Sequence, residues 1–277
     1  MTDEQGAANS AISRLGTALL NGNTLTVLTG AGISTDSGIP AYRDHTGRWL
    51  ASQPIQHQEF ISDLNARQRY WARSILGWPA VAAAQPNTAH SALVELEKRG
   101  LIDILATQNV DRLHQRAGQR KAVDLHGRLD QVVCLSCDRR STRADLQNVL
   151  AQENPSFAQQ SAVVKPDGDS DVSAIDVASF RVPACDACGG ILKPDVVFFG
   201  GSVSRDDIAR VKQSIDSTSG LLVIGSSLQV FSGYRFCKYV TDANKPLYII
   251  NRGDTRADHL ATEKFTMGVA ECLTQLL

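Results

Sequence analysis

The 277-residue chain lacks an excess of charge of either sign: 28 Lys and Arg stand against 29 Asp and Glu, a formal net charge of -1. A protein that tracks a nucleic-acid backbone needs a basic surface. The balance therefore argues against an extended one and leaves room only for a local patch. The chain also lacks a long apolar run, since none approaches the ~20 residues of a membrane-spanning helix. Its N-terminal stretch, MTDEQGAANSAISRL, is acidic and polar. It has neither the apolar core of a secretory signal nor the arginine-rich character of a transit peptide. Internal repeats and low-complexity tracts are missing too. These absences give the expectation of a soluble cytoplasmic protein that binds neither nucleic acid nor membrane.

Two nucleotide-binding signatures are incomplete. In TVLTGAGISTDSGIPAYR (26–43), Gly30 and Gly32 follow an apolar run, but Thr35 stands where a dinucleotide fingerprint has its third glycine. No Gly-Lys-Ser/Thr follows, so this is not a Walker A loop. The two glycines allow tight turning and close approach of a phosphate to backbone amides. A purely structural strand–helix turn reads equally well. Arg43 fits a phosphate clamp or an ordinary surface position.

What the chain does have is strand-like runs with helical stretches between them. TLTVL (24–28), IDILAT (102–107), VVFF (196–199), GLLVIGSS (220–227) and PLYIIN (246–251) read as buried parallel strands. Several end on small or polar residues, where ligands sit in open α/β sheets. The fold class is α/β: a doubly wound parallel sheet. Residues 52–86 break the alternation and read as helices carried on a loop; residues 127–195 break it again, with a polar stretch, KPDGDSDVSAID.

Apolar residues make up 43% of the chain, enough for a core without metal or disulfide. The six cysteines therefore invite another reading. C-L-S-C (134–137) and C-D-A-C (185–188) each place two thiolates on a tight turn, and together they can complete a tetrahedral S4 site for Zn2+. Protein fills all four positions, so the site would be closed and structural. A redox C-x-x-C is the rival reading, but two copies in one polar module favour metal. Cys237 and Cys272 lie in apolar surroundings and read as core.

In TQNVDRLHQRAG (107–118), Asn109 and Asp111 could hold a carboxamide between an acceptor and a donor, or one of them could cap the next helix. His126, in VDLHGRL, suits a general base near neutral pH. His114 is an equal candidate on spacing alone.

Taken together, these motifs resemble the sirtuin family of NAD-dependent protein deacylases. GAGIST and GIPAYR (30–43), TQNVDRLHQRAG, LHG (125–127), the paired C-x-x-C, LKPDVVFFG (192–200), GSSLQV (225–230) and IN (250–251) occur in family order. PIQHQEF (54–60), RQRYWAR (67–73), GWP (77–79), PDGD (166–169) and GSSLQVFSGYRF (225–236) are similar to the class II branch, which includes the fourth human sirtuin, a mitochondrial protein.

The resemblance implies a Rossmann-like NAD-binding domain over 1–126 and 196–277, with a helical insert near 52–86, and a small zinc module over 127–195. It implies NAD as co-substrate and acyl-lysine proteins as partners. NAD would lie along Gly30, Ala31, Gly32, Ile33, Ser34, Thr35, Asp36, Ile39, Pro40, Tyr42, Arg43 and Leu50. It would continue at Gln108, Asn109, Val110 and Asp111, at Gly225, Ser226, Ser227 and Val230, at Asn251, Arg252 and Gly253, and near Val269. Asn109 and Asp111 would hold the nicotinamide carboxamide, and His126, not His114, would be the base. Cys134, Cys137, Cys185 and Cys188 would hold one structural Zn2+. The acyl-lysine peptide would add as a strand against Val196, Val197, Phe198, Gly200 and Gly201.

The implied reaction removes the acyl group from lysine and releases nicotinamide and O-acyl-ADP-ribose. The competing readings are protein ADP-ribosylation or plain NAD cleavage, a non-enzymatic NAD sensor, and a hydride-transferring dehydrogenase. Two positions depart from the family, with Gly201 in place of an acidic residue and Ala41 in place of Asp. The desuccinylating branch carries a Tyr and an Arg three residues apart. The matching positions read as Arg48 and Ala51 or Leu50, so the pair is absent and weak action on succinyl-lysine is expected.

Overall fold

The computed structural model describes Gly16 and residues 23–41, 54–159 and 177–277. Tyr42, Arg43, Arg48, Leu50, Ala51 and the PDGD stretch lie outside the described residues.

Strand β1 (Leu25–Thr29) is buried along its whole length and opens the larger sheet. Two helices follow, α1 (His57–Ser62) and α2 (Leu64–Ala83), the second capped by Asp63, which accepts from Asn65 N. Asn87 caps α3 (Thr88–Lys98), and β2 (Ile102–Thr107), α4 (Leu113–Ala117) and β3 (Ala122–Asp124) complete the first half.

The small sheet begins with β4 (Gly127–Cys134) and β5 (Arg140–Thr142), continues through α5 (Arg143–Glu153) and α6 (Pro155–Ala158), and closes with β6 (Leu192–Val196). The chain then returns to the larger sheet through α7 (Arg205–Ser217), β7 (Leu221–Ile224), α8 (Phe231–Asp242), β8 (Leu247–Ile250), β9 (Glu263–Phe265) and α9 (Val269–Thr274).

Among the described residues, six strands pair in parallel in the order β3-β2-β1-β7-β8-β9. The order reverses between β1 and β7, which opens a crevice beyond their C-terminal ends. Side chains alternate across the sheet. Leu222 and Ile224 of β7 pack with Leu93 and Leu96 of α3 and Cys272 of α9. Leu221 and Val223 pack on the other face with Val211 and Ile215 of α7 and Phe236 and Cys237 of α8. Helices thus cover both faces, which explains why the strands read as continuous apolar runs.

The VVFF run is corrected by the structure. The strand there is Leu192–Val196, antiparallel to β4 in the three-stranded sheet β5-β4-β6, and not a member of the parallel sheet. Phe198 is buried among aromatic rings instead, with its centroid 5.1 Å from Phe60 and 5.2 Å from Tyr70. A short apolar run looks the same in sequence whether a sheet or a ring cluster buries it.

A third cluster joins the helical insert to the small sheet, with Phe60, Trp71 and Ile75 against Val132, Leu146 and Phe180. Arg143 sits inside it, only 1% exposed. Its guanidinium lies 5.4 Å from the Trp71 ring and 5.3 Å from the Trp78 ring, and Nη2 donates to Ser74 O and Oγ. Burial brings Arg143 down to about 10, still charged at neutral pH.

Candidate active site

The crevice is a cavity of about 1220 Å³. Turns after β1, β2, β7 and β8 line it, and so does the segment that follows β6. Those turns are in place because their strands end level beside one another.

The glycines of the first turn serve a purpose the phosphate reading did not foresee. Gly30 N donates to Ile224 O at 3.0 Å and Gly32 N to Gly225 O at 2.8 Å. Ile33 N and Ser34 N are spent on Gly30 O and Ala31 O. These four amides are therefore bonded within the protein. A Cβ at Gly30 would stand 2.7 Å from Ser226 Cβ, and one at Gly32 would stand 2.9 Å from Gly225 Cα. Gly225 has φ +60, and a Cβ there would stand 2.6 Å from Ile33 N. The glycines let two turns close on each other.

Asn109 Nδ2 donates to Gly30 O and Ser34 Oγ, both at 3.1 Å, and Ser34 Oγ donates to Asp111 Oδ2 at 2.7 Å. Asp111 Oδ1 accepts from Leu113 N at 2.9 Å and so starts α4. Capping thus falls to Asp111, while Asn109 braces the glycine turn. With both Nδ2 hydrogens committed, Asn109 can offer a carboxamide only an acceptor. Asp111 is 8% exposed, and burial raises its carboxyl against the opposing hydrogen bonds from Leu113 and Ser34.

His126 Nδ1 lies 2.9 Å from Gln108 O and Nε2 lies 2.7 Å from Ser232 Oγ. A carbonyl can only accept, so Nδ1 carries the proton and Nε2 is the basic nitrogen. Burial lowers the imidazole below its ordinary value, against the Gln108 hydrogen bond that raises it. The ring is neutral and poised to accept. Gln108 is itself fixed, since Oε1 accepts from Ser226 Oγ at 2.6 Å. His114 is different. It is 1% exposed, with Nε2 2.9 Å from Thr29 Oγ1 and its ring 4.8 Å from that of His90. It is a core residue.

The cavity brings together most of the expected NAD residues: Gly30, Ala31, Gly32, Thr35 and Asp36; Gln108, Asn109 and Val110; Gly225, Ser226, Ser227 and Val230; Asn251, Arg252, Gly253 and Val269. His126, Val196, Val197, Phe198, Gly200 and Gly201 share it. Ile33, Ser34, Ile39, Pro40 and Asp111 are not on its wall. Ile33 and Ile39 are core residues, and Ser34 and Asp111 act from behind through Asn109.

The segment 196–201 is already pinned. Val197 N donates to His126 O, Phe199 O accepts from His57 N, and Gly201 N donates to Phe198 O. A Cβ at Gly201 would stand 2.9 Å from Phe198 O, so this turn has no room for the family's acidic side chain without a shift.

A tyrosine and an arginine also share the cavity wall. Tyr70 and Arg73, three residues apart on α2, both line the cavity. The sequence reading placed the matching positions at Arg48 and Ala51 or Leu50, which lie outside the described residues, and did not consider the pair Tyr70 and Arg73 within RQRYWAR. Helical spacing, which puts i and i+3 on one face, was the signal that could have found it. Ser232 was missed as well, because nothing in GSSLQVFSGYRF distinguishes it from an ordinary helix-start serine.

The four cysteines form a separate centre. Their sulfurs all lie within 4.8 Å of one another, with Cys134 Sγ 3.5 Å from Cys188 Sγ and Cys137 Sγ 3.9 Å from Cys185 Sγ. Zn–S bonds of ~2.3 Å in a tetrahedron put sulfurs roughly 3.8 Å apart, while a disulfide needs ~2.05 Å. The donor set fits Zn2+. Ser136 N donates to Cys134 Sγ and helps bring that thiol down to about 6. Gly190 N–H lowers Cys188, but the neighbouring thiols outweigh it and push it up to about 12. Four thiols this close cannot all ionise without a cation.

A large crevice at the switch point of a doubly wound sheet, with a neutral histidine inside it and a four-thiol module alongside, defines a Rossmann-type site built for acid–base work. Comparison with known proteins then gives the family. The Sir2 family profile matches residues 30–232. The "NAD-dependent protein deacetylase" of Xanthomonas campestris pv. campestris is 49% identical over 252 residues, 91% of this chain and 86% of that one. The "NAD-dependent protein deacylase Sirt4" of Drosophila melanogaster is 45% identical over 268 residues, 96% of this chain and 86% of that one. Among solved structures, "Sir2-p53 peptide-NAD+" superposes with a TM-score of 0.73 at 33% identity, covering 94% of this chain and 95% of that one. The chain belongs to the Sir2 family.

Proposed function

We propose that this crevice carries out NAD-dependent deacylation of lysine in proteins. The overall change is acyl-lysine plus NAD and water to lysine, nicotinamide and O-acyl-ADP-ribose. The observation that carries the reading is the single cavity in which the dinucleotide turns, the segment 196–201 and a neutral His126 meet. Bound NAD supplies the activated ribose carbon from which nicotinamide leaves. The chain's own residues do the rest.

Asn109 Oδ1 accepts from the nicotinamide carboxamide. Asp111 keeps Asn109 in register through Ser34. The turns around Gly30, Gly225 and Asn251 hold the rest of the dinucleotide. His126 Nε2 takes a proton from a ribose hydroxyl while Nδ1–H stays on Gln108 O, whose dipole offsets the developing charge. The acyl-lysine main chain adds beside Gly200–Gly201 and Val196–Val197. The zinc module has no open ligand position and serves structure alone.

Mass detection of the products from an acetyl-lysine peptide and NAD tests this. O-acetyl-ADP-ribose, nicotinamide and the deacetylated peptide in equal amounts are expected. ADP-ribosylated protein without O-acetyl-ADP-ribose would assign the site to ADP-ribosyl transfer, and NADH to dehydrogenation.

A further inference from the structure

Phe231 opens α8, lines the cavity and is 54% exposed. Arg235 stands one turn on, its guanidinium 5.0 Å from the Phe231 ring centroid. Arg205 begins α7, which packs beside α8, and it lines the same cavity with Ile208. The two arginines, the exposed ring and Gly200–Gly201 thus line one cavity.

No acidic side chain answers them. The acids on the cavity wall are Asp36 after β1, Asp254 after β8 and Glu271 on α9. Asp206 and Asp207 follow Arg205 but do not line the cavity, and Asp207 pairs with Arg210 at 3.6 Å. Among the described residues, neither Arg205 nor Arg235 has an acidic partner in an ion pair. Arg235 meets Phe231 through the ring and through a long 3.5 Å bond to its carbonyl.

We infer that Arg205, Phe231 and Arg235 form a recognition surface for an acidic residue flanking the acyl-lysine of the substrate. Opposite charge across such a rim steers encounter and sets register more than it adds raw affinity. Phe231 covers the aliphatic part of that flanking side chain while the arginines meet its carboxylate. The inference rests on the deacylase reading above, because the peptide must run past Gly200–Gly201.

The test is a set of acyl-lysine peptides that differ by one residue, Ala, Glu or Lys, walked through the flanking positions. Affinity for the NAD-loaded protein is read by calorimetry and turnover by mass detection. At one position or more, Glu should bind roughly threefold to tenfold better than Ala, and Lys worse, as expected for partly exposed ion pairs. The gap should shrink at high salt. Arg205→Glu/Arg235→Glu should invert the order of Glu and Lys peptides, read as a ratio within each variant. Arg235→Gln, a milder change, should flatten it. An order unaltered in both variants, or no charge preference at any position, would overturn the inference. Loss of turnover on every peptide with the binding order intact would instead strike the deacylase reading alone.

Discussion

Ser232 Oγ and His126 Nε2 lie 2.7 Å apart, so a hydroxyl of the chain itself engages the basic nitrogen of the site. Since Gln108 O holds the other ring nitrogen, the serine can only be donating to Nε2. In the proposed reaction a ribose hydroxyl would take over that place, and Ser232 would turn to accept from the protonated ring. Ser232→Ala should lower kcat by roughly threefold to tenfold, the scale of one hydrogen bond of ~1 kcal/mol. His126→Ala should cost about two to four orders of magnitude, the scale of a lost general base. NAD affinity, read by calorimetry, should move little in either. Equal kcat for wild type and Ser232→Ala would show the contact to be incidental.

Tyr70 and Arg73 on the cavity wall bear on the weak use of succinyl-lysine expected from the sequence. A buried acidic tail without a cation loses its hydration for nothing. With Arg73 at hand, succinyl-lysine should be used at least as well as a neutral acyl-lysine of similar length. Arg73→Met should cut kcat/KM for succinyl-lysine about 10- to 100-fold more than for the neutral substrate, the range for hydrogen bonds to charged groups. Equal losses on both substrates would mean that Arg73 only supports the wall.

The four thiols should hold one zinc per chain, measured by elemental analysis of metal-replete protein. Cys185→Ser should lose the metal and lower Tm, because a structural site carries folding free energy. The damage should reach past the small sheet, since Arg143 and Leu146 tie that module to the rings of α2. Metal-free protein of unchanged Tm would exclude a structural zinc.

His90 and His114 predict how stability follows pH. Burial lowers His90 to about 4 and His114 well below its ordinary value, with the His90 neighbour adding to the second. At pH 7 both rings are neutral whether the chain is folded or not, so neither affects stability. As pH falls below ~6.5 the unfolded chain takes up protons that the folded chain refuses. Stability should drop from there to about 4, where His90 titrates in the fold. His90→Gln should flatten the plot of Tm against pH over that window, and an unchanged slope would remove His90 from the account.

The parallel strands and the four thiols were legible in the sequence because each follows a short local rule, whereas spacing alone left His126 level with His114 and only the family resemblance chose between them. A strand buried on both faces shows as an apolar run, and a C-x-x-C turn puts its sulfurs side by side. VVFF was misread because four apolar residues carry no record of what buries them. The glycine turn was half read: the need for glycine was visible, but the neighbour that needs it, Gly225, lies far along the chain. Ser232 is 106 residues from His126, and no local pattern links them. Tyr70 and Arg73 were within reach, as helical spacing alone puts them on one side of α2.

The backbone of Gly225 is engaged from both directions, its N–H on Ile250 O and its own carbonyl under Gly32 N. The ends of β1, β7 and β8 are thereby stitched into one shelf before anything binds. A dinucleotide landing there has no shelf to organise, so little ordering entropy is spent on that side of the crevice. Whatever discrimination the shelf exercises between ligands is set in advance by its shape and dipoles. A side chain added at Gly30, Gly32 or Gly225 would therefore act at a distance: the seam would part, and all three strand ends would lose their common level.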